Sequence, residues 1–141
     1  RYAQKLHLKN FGGARCESFA QAPIPRMSNT SFEQGKSKLS EMIKEMKNGL
    51  YLKNGSGGQV NVATGIYQFG VKEAELIRNG EVVDHFVNIT FGGNLISALQ
   101  SIVEISKEMD YSLVGFCGKD GQSVPVGGYG PSIKIKNVKV G

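Results

Sequence analysis

A single thiol, Cys117, sits in the run Gly115-Phe116-Cys117-Gly118-Lys119-Asp120-Gly121-Gln122-Ser123-Val124-Pro125-Val126-Gly127, beside a lysine and among glycines. An adjacent positive charge favours the thiolate, and the backbone N–H groups of a glycine-rich loop can turn toward an anion. A cysteine on such a loop, just ahead of the last predicted strand, has the surroundings of a metal ligand or a nucleophile. No base or second ligand accompanies it nearby in the sequence. From the residues alone a packed structural cysteine is the commoner role, since free Cys behaves as a small hydrophobe. The second cysteine, Cys16, precedes an apparent strand and is assigned no role. His7, between Leu6 and Leu8, and His85, between Asp84 and Phe86, read as solvent-facing bystanders.

The elements that must position Cys117 are short strands with turn punctuation, interrupted by two helices. Ser37 reads as an N-cap for Leu39, Met42, Ile43 and Met46 at helical spacing, with Asn48-Gly49 as the stop. A second helix is expected from Asn94 to Glu108, its stripe of Leu95, Ile96, Leu99, Ile102, Val103 and Ser106 covering a sheet. Between them, strands flank Ala63-Thr64-Gly65 and Asn79-Gly80. The latter dipeptide suits the two positive φ angles of a type I′ turn, so two consecutive antiparallel hairpins are expected. Gly55 to Gly58 looks the most flexible. Tyr2 to Lys9 reads as an opening strand. Near the end the apolar phase slips at Asn137, from Ile133 and Ile135 to Val138 and Val140, which predicts a bulge or a change of sheet. The expectation is one α+β domain over 1–141, mostly antiparallel sheet with two covering helices.

With 141 residues, 40% of them hydrophobic, the chain can bury a real core. No apolar run approaches membrane-spanning length, which argues against a membrane partner. Two cysteines in unlike contexts argue against a disulfide framework and for a reducing compartment, the cytoplasm. The chain opens on Arg1 without a start residue, as a piece of a longer protein would. Its net charge of +5 is uneven: residues 1–53 carry ten basic and four acidic side chains, 54–110 three and seven, 111–141 four and one. The basic residues are spread singly, without a dense tract or aromatic–basic interleaving. A solvated surface is therefore favoured over nucleic-acid binding.

Four segments together resemble the TldD/PmbA family, long labelled modulators of DNA gyrase and regarded as zinc metallopeptidases. They are Arg15 to Ala20 continuing through Pro23-Ile24-Pro25-Arg26-Met27-Ser28-Asn29-Thr30; Gly49-Leu50-Tyr51 with Gly57-Gly58-Gln59-Val60; Tyr67-Gln68-Phe69 to Gly80; and Cys117 to Gly127 ending in Gly130-Pro131. They occur in family order and span nearly the whole chain. The cysteine followed by Gly-Lys-Asp-Gly-Gln-Ser is the most specific, because it separates TldD-like chains from their PmbA-like (TldE-like) partners.

The resemblance implies a zinc site. An upstream helix of such proteins carries a His-Glu-x-x-x-His motif whose histidines bind zinc and whose glutamate is general base; the position matching Cys117 is the third ligand. Three protein ligands leave one tetrahedral position open for water or a peptide carbonyl. Neither His7, followed by Leu8, nor His85, followed by Phe86, begins that motif, so the chain is not expected to assemble the zinc site or to act alone. The intact protein is expected to hydrolyse unfolded peptides, held by main-chain hydrogen bonds at a strand edge, and to pair with a TldE/PmbA-like subunit or with itself. A non-catalytic partner subunit and a DNA gyrase modulator are the alternatives.

Other residues carry lesser expectations. Gly57, Gly58 and Gln59 make a tight turn or let a peptide approach the backbone. Arg26, Asn29 and Thr30 form a proline-fixed polar loop or line the cleft around the metal. Gly118, Lys119 and Asp120 shape the cysteine loop, and Gln122 and Ser123 orient it through backbone hydrogen bonds.

Overall fold

In the computed structural model, His7 and residues 13–141 are described, without the side chains of 112–114. The opening strand expected at Tyr2 to Lys9 lies outside them. The chain divides into two compact units, one of residues 1–31 and 114–127, the other of 32–113 and 128–141.

The larger unit is a meander built as the turn signals require. Strands β3 (Asn48–Asn61), β4 (Ile66–Arg78) and β5 (Glu81–Asn94) pair antiparallel in that order. The β4–β5 turn is Asn79-Gly80, with φ of 49° and 83°. Only glycine fits its second position, because a Cβ there would run into the backbone of Lys44. The same turn finishes a helix: the N–H groups of Asn79 and Gly80 donate to the carbonyls of Lys47 and Met46, just beyond α1 (Leu39–Lys44). At the β3–β4 turn, Asn61 Oδ1 accepts from the N–H groups of Ala63 and Thr64. Met42, Tyr67, Val71, Ala74 and Ile77 form the buried apolar core of this unit, Ile77 with no exposed surface.

Several expectations are corrected here. Lys38, not Ser37, is the N-cap of α1. Ser37 is held by a parallel bridge to Ser106, its carbonyl accepting from Lys107 N–H at 2.8 Å. The helix ends before Met46, and β3 begins at the expected stop. Gly55 to Gly58 lies inside β3, where the register to β4 shifts between Gly55 and Gly57, Gly57 at φ 102°. The second helix, α2, runs only over Leu95–Gln100. It starts where expected, and Asn94 caps it, its Oδ1 accepting from the N–H groups of Ile96 and Ser97. None of its residues is buried, so it lays no apolar stripe into a core. From Ile102 the chain is strand β6, which continues to Lys119. Ile102, Val103 and Ile105 are β-branched and suit a strand, and the rest of the expected helix pairs within a hairpin instead.

That hairpin joins β6 (Ile102–Lys119) to β7 (Gln122–Ile135) through Asp120-Gly121, at φ 50° and 74°. Residues 102–113 of β6 and 128–135 of β7 belong to the larger unit, residues 114–119 and 122–127 to the smaller. Within the larger unit, Ser106 is fully buried; its hydroxyl donates to Glu108 O and accepts from Ser132 N–H, both at 2.9 Å. At Asn137, φ 60°, the chain leaves β7 and forms β8 (Lys139–Val140) beside β5, the predicted change of sheet. The result is mostly antiparallel sheet with two short helices.

Candidate functional site at the tip of the β6–β7 hairpin

Cys117 lies on β6, not on a loop. The two-residue turn Asp120-Gly121 joins β6 directly to β7, so Gly115 and Gly118 lie in a strand and not in the expected loop. Cys117 is half-buried, and both it and Cys16 are free thiols.

The smaller unit holds this hairpin tip with side chains from residues 13–26. Arg26 Nη1 donates to the carbonyl of Cys117 at 2.6 Å and Nη2 to that of Gln122 at 3.0 Å. Lys119 Nζ donates to Pro25 O at 2.8 Å, so Pro25 and Arg26 both grip the tip. Buried Gln122 gives Nε2 to Ala22 O and takes Glu17 N–H on Oε1, both at 3.0 Å. Glu17 returns the contact, its carboxylate accepting from Ser123 N–H at 3.0 Å. Farther along β7, Arg15 Nη2 donates to Pro125 O. Behind Arg15, β1 (Ala14–Arg15) pairs with β2 (Ile24–Pro25), and Arg26 N–H donates to Gly13 O.

Of the residues singled out from sequence, Cys117, Gly118, Gln122, Ser123 and Arg26 therefore share one unit. Asn29 belongs to it too, exposed. Gln122 and Ser123 hydrogen-bond to Glu17 and Ala22, about a hundred positions earlier. Glu17 was missed, and nothing in its immediate sequence marks it. Gly57, Gly58 and Gln59 belong to the larger unit. There Gly58 and Gln59, with Gln68, Phe69, Gly70 and Thr90, line an open groove of about 330 Å³ on the meander sheet. Phe69 stacks with Phe91 at 6.0 Å between ring centroids. Among the described residues β3 is the outer strand of that sheet.

His85 is exposed on β5, 4.0 Å from Glu75, which pairs with Lys53. Among the described residues no group of three or more His, Cys, Asp and Glu side chains converges to hold a metal ion. The chemistry of a thiol fits zinc, but the donor set present here does not complete a zinc site.

The profile of the PmbA/TldA metallopeptidase C-terminal domain matches residues 1–141. The chain belongs to that family. A metalloprotease TldD homolog from Buchnera aphidicola (subsp. Acyrthosiphon pisum) is 41% identical over 141 residues, covering 99% of this chain and 29% of the relative. A zinc metalloprotease TldD homolog from Saccharolobus solfataricus is 39% identical over 140 residues, covering 99% and 31%. The chain thus spans about three-tenths of the length of the curated relatives it matches. The crystal structure of TldE from Thermococcus kodakarensis superposes with a TM-score of 0.69 at 23% identity, covering 99% of this chain and 29% of that one. At that identity the likeness is one of fold. Among the described residues no helix is long and apolar enough to cross a membrane.

Proposed function

We propose that this PmbA/TldD C-terminal domain contributes one zinc ligand, Cys117, to a metallopeptidase whose remaining ligands and general base come from outside the chain. The observation that carries the reading is the bracing of the cysteine strand. Arg26, Lys119, Gln122 and Glu17 fix the backbone on both sides of the turn, as a ligand needs if its sulfur is to meet a metal at a defined place. The metalloprotease names of relatives at about 40% identity, one of them a zinc enzyme, support it. The chain's part at the metal is to present the thiol. Its histidines, His7 and His85, are assigned no ligand role.

The substrate we propose is an unfolded peptide. Among the described residues β3 is the outer strand of its sheet, and Gly57 and Gly58, which present no side chain, stand there beside Gln59 just past the register shift. An edge of this kind binds through the peptide backbone, which gives broad sequence tolerance. A TldE/PmbA-like subunit, or a second copy, is the proposed partner, and the cytoplasm, where thiols stay reduced, the proposed compartment. The competing reading is a non-catalytic partner subunit; the retained Cys117 weighs against it.

The test is hydrolysis of an unstructured peptide and of a stably folded domain by the full-length protein. The expected result is cleavage of the peptide alone, lost in Cys117→Ala. Undiminished cleavage by that variant, or none by the wild type with its partner present, would contradict the reading.

A further inference from the structure

Arg26 is the least expected member of the tip. It is 9% exposed, both terminal nitrogens are spent on main-chain carbonyls, and Nε is buried without a hydrogen-bond partner among the described residues. No carboxylate among the described residues forms an ion pair with it. A buried cation without a counter-charge is costly unless its hydrogen bonds are good ones, and bonds donated by a guanidinium are stronger than neutral ones. The two acceptors, Cys117 O and Gln122 O, stand on the two strands flanking the Asp120-Gly121 turn. One rigid fork therefore ties both arms of the hairpin.

We infer that Arg26 is a positioning residue for Cys117: its planar fork fixes the backbone that carries the thiol, and it is not a contact for substrate. The inference rests on the reading of Cys117 as a functional thiol. Lysine cannot replace it fully, because an ammonium on a flexible stem lacks the fork geometry that spans two fixed carbonyls. The segment bearing Arg26 is itself pinned, by Arg26 N–H to Gly13 O at 3.0 Å and by Lys119 to Pro25 O. The fork thus acts from an anchored base.

The experiment measures alkylation of Cys117 by iodoacetamide in the full-length, chelator-stripped protein, resolved by peptide mass spectrometry, with Cys16 as internal reference. In Arg26→Met the half-buried thiol should alkylate about tenfold faster, Cys16 changing less than about twofold, and in Arg26→Lys the rise should be intermediate. A Cys117 rate within about twofold of wild type in either folded variant, or an equal rise at both cysteines, would overturn the assignment. If Arg26→Met does not fold, Arg26→Lys decides by the same ratio. Because no metal is present, the outcome is independent of whether Cys117 binds zinc. A changed alkylation ratio with unchanged zinc content in Cys117→Ala would keep the positioning role and remove the ligand role.

Discussion

Among the described residues, the interiors of the two units differ in kind. The meander unit buries Met42, Val71, Ala74 and Ile77 and draws its order from apolar packing across paired strands. Among the described residues of the smaller unit, the buried side chains are the apolar Val124 and the polar Arg26 and Gln122. Hydrophobic burial is non-directional, whereas hydrogen bonds from a fork or an amide demand particular angles. The meander is suited to carry stability, and the hairpin tip to carry geometry. A thiol that must meet a metal at a fixed distance belongs in the second kind of environment.

Substitutions in the two units should therefore fail in different ways. Ile77→Ala opens a cavity at a fully buried site and should cost about 2–5 kcal/mol of global stability. Chemical denaturation would show it, and a loss under about 1 kcal/mol would mean that the core lies elsewhere. Gln122→Ala leaves the N–H of Glu17 and the carbonyl of Ala22 without their partners, at about 1–3 kcal/mol. That loss should register as faster hydrogen exchange at Glu17 and its neighbours, with the β4 amides unchanged; equal acceleration in both units would erase the distinction. Asn94→Ala removes the cap of α2 and should cost about 1 kcal/mol, seen as local exchange at Ile96 and Ser97.

Legibility in the sequence follows the range of the interaction. Asn79-Gly80 announced its turn, and Asn137 a bulge or a change of sheet, because each is decided by a few neighbouring residues and a positive φ. The stretch after Gln100 misled, since Ile102, Val103 and Ser106 satisfy a helical period while the pairing with β7 that makes them strand lies far along the chain. Cys117 misled for a related reason. Its glycines suggest a loop, yet the tight turn at Asp120-Gly121 lets both strands continue past them. Gln122, Ser123 and Arg26 drew attention by type, but their partners were illegible: Arg26 and Cys117 are 91 residues apart, Glu17 and Ser123 106. The thiol itself stood out by type and by family resemblance, and what holds it did not.

The central claim is that Cys117 is a metal ligand, and zinc content tests it most directly. Full-length wild type, Cys117→Ala and Cys16→Ala would be purified side by side, their folding checked by circular dichroism and their zinc measured by plasma mass spectrometry. The account predicts that Cys16→Ala retains wild-type zinc while Cys117→Ala loses most of it. Wild-type zinc in folded Cys117→Ala would contradict the account.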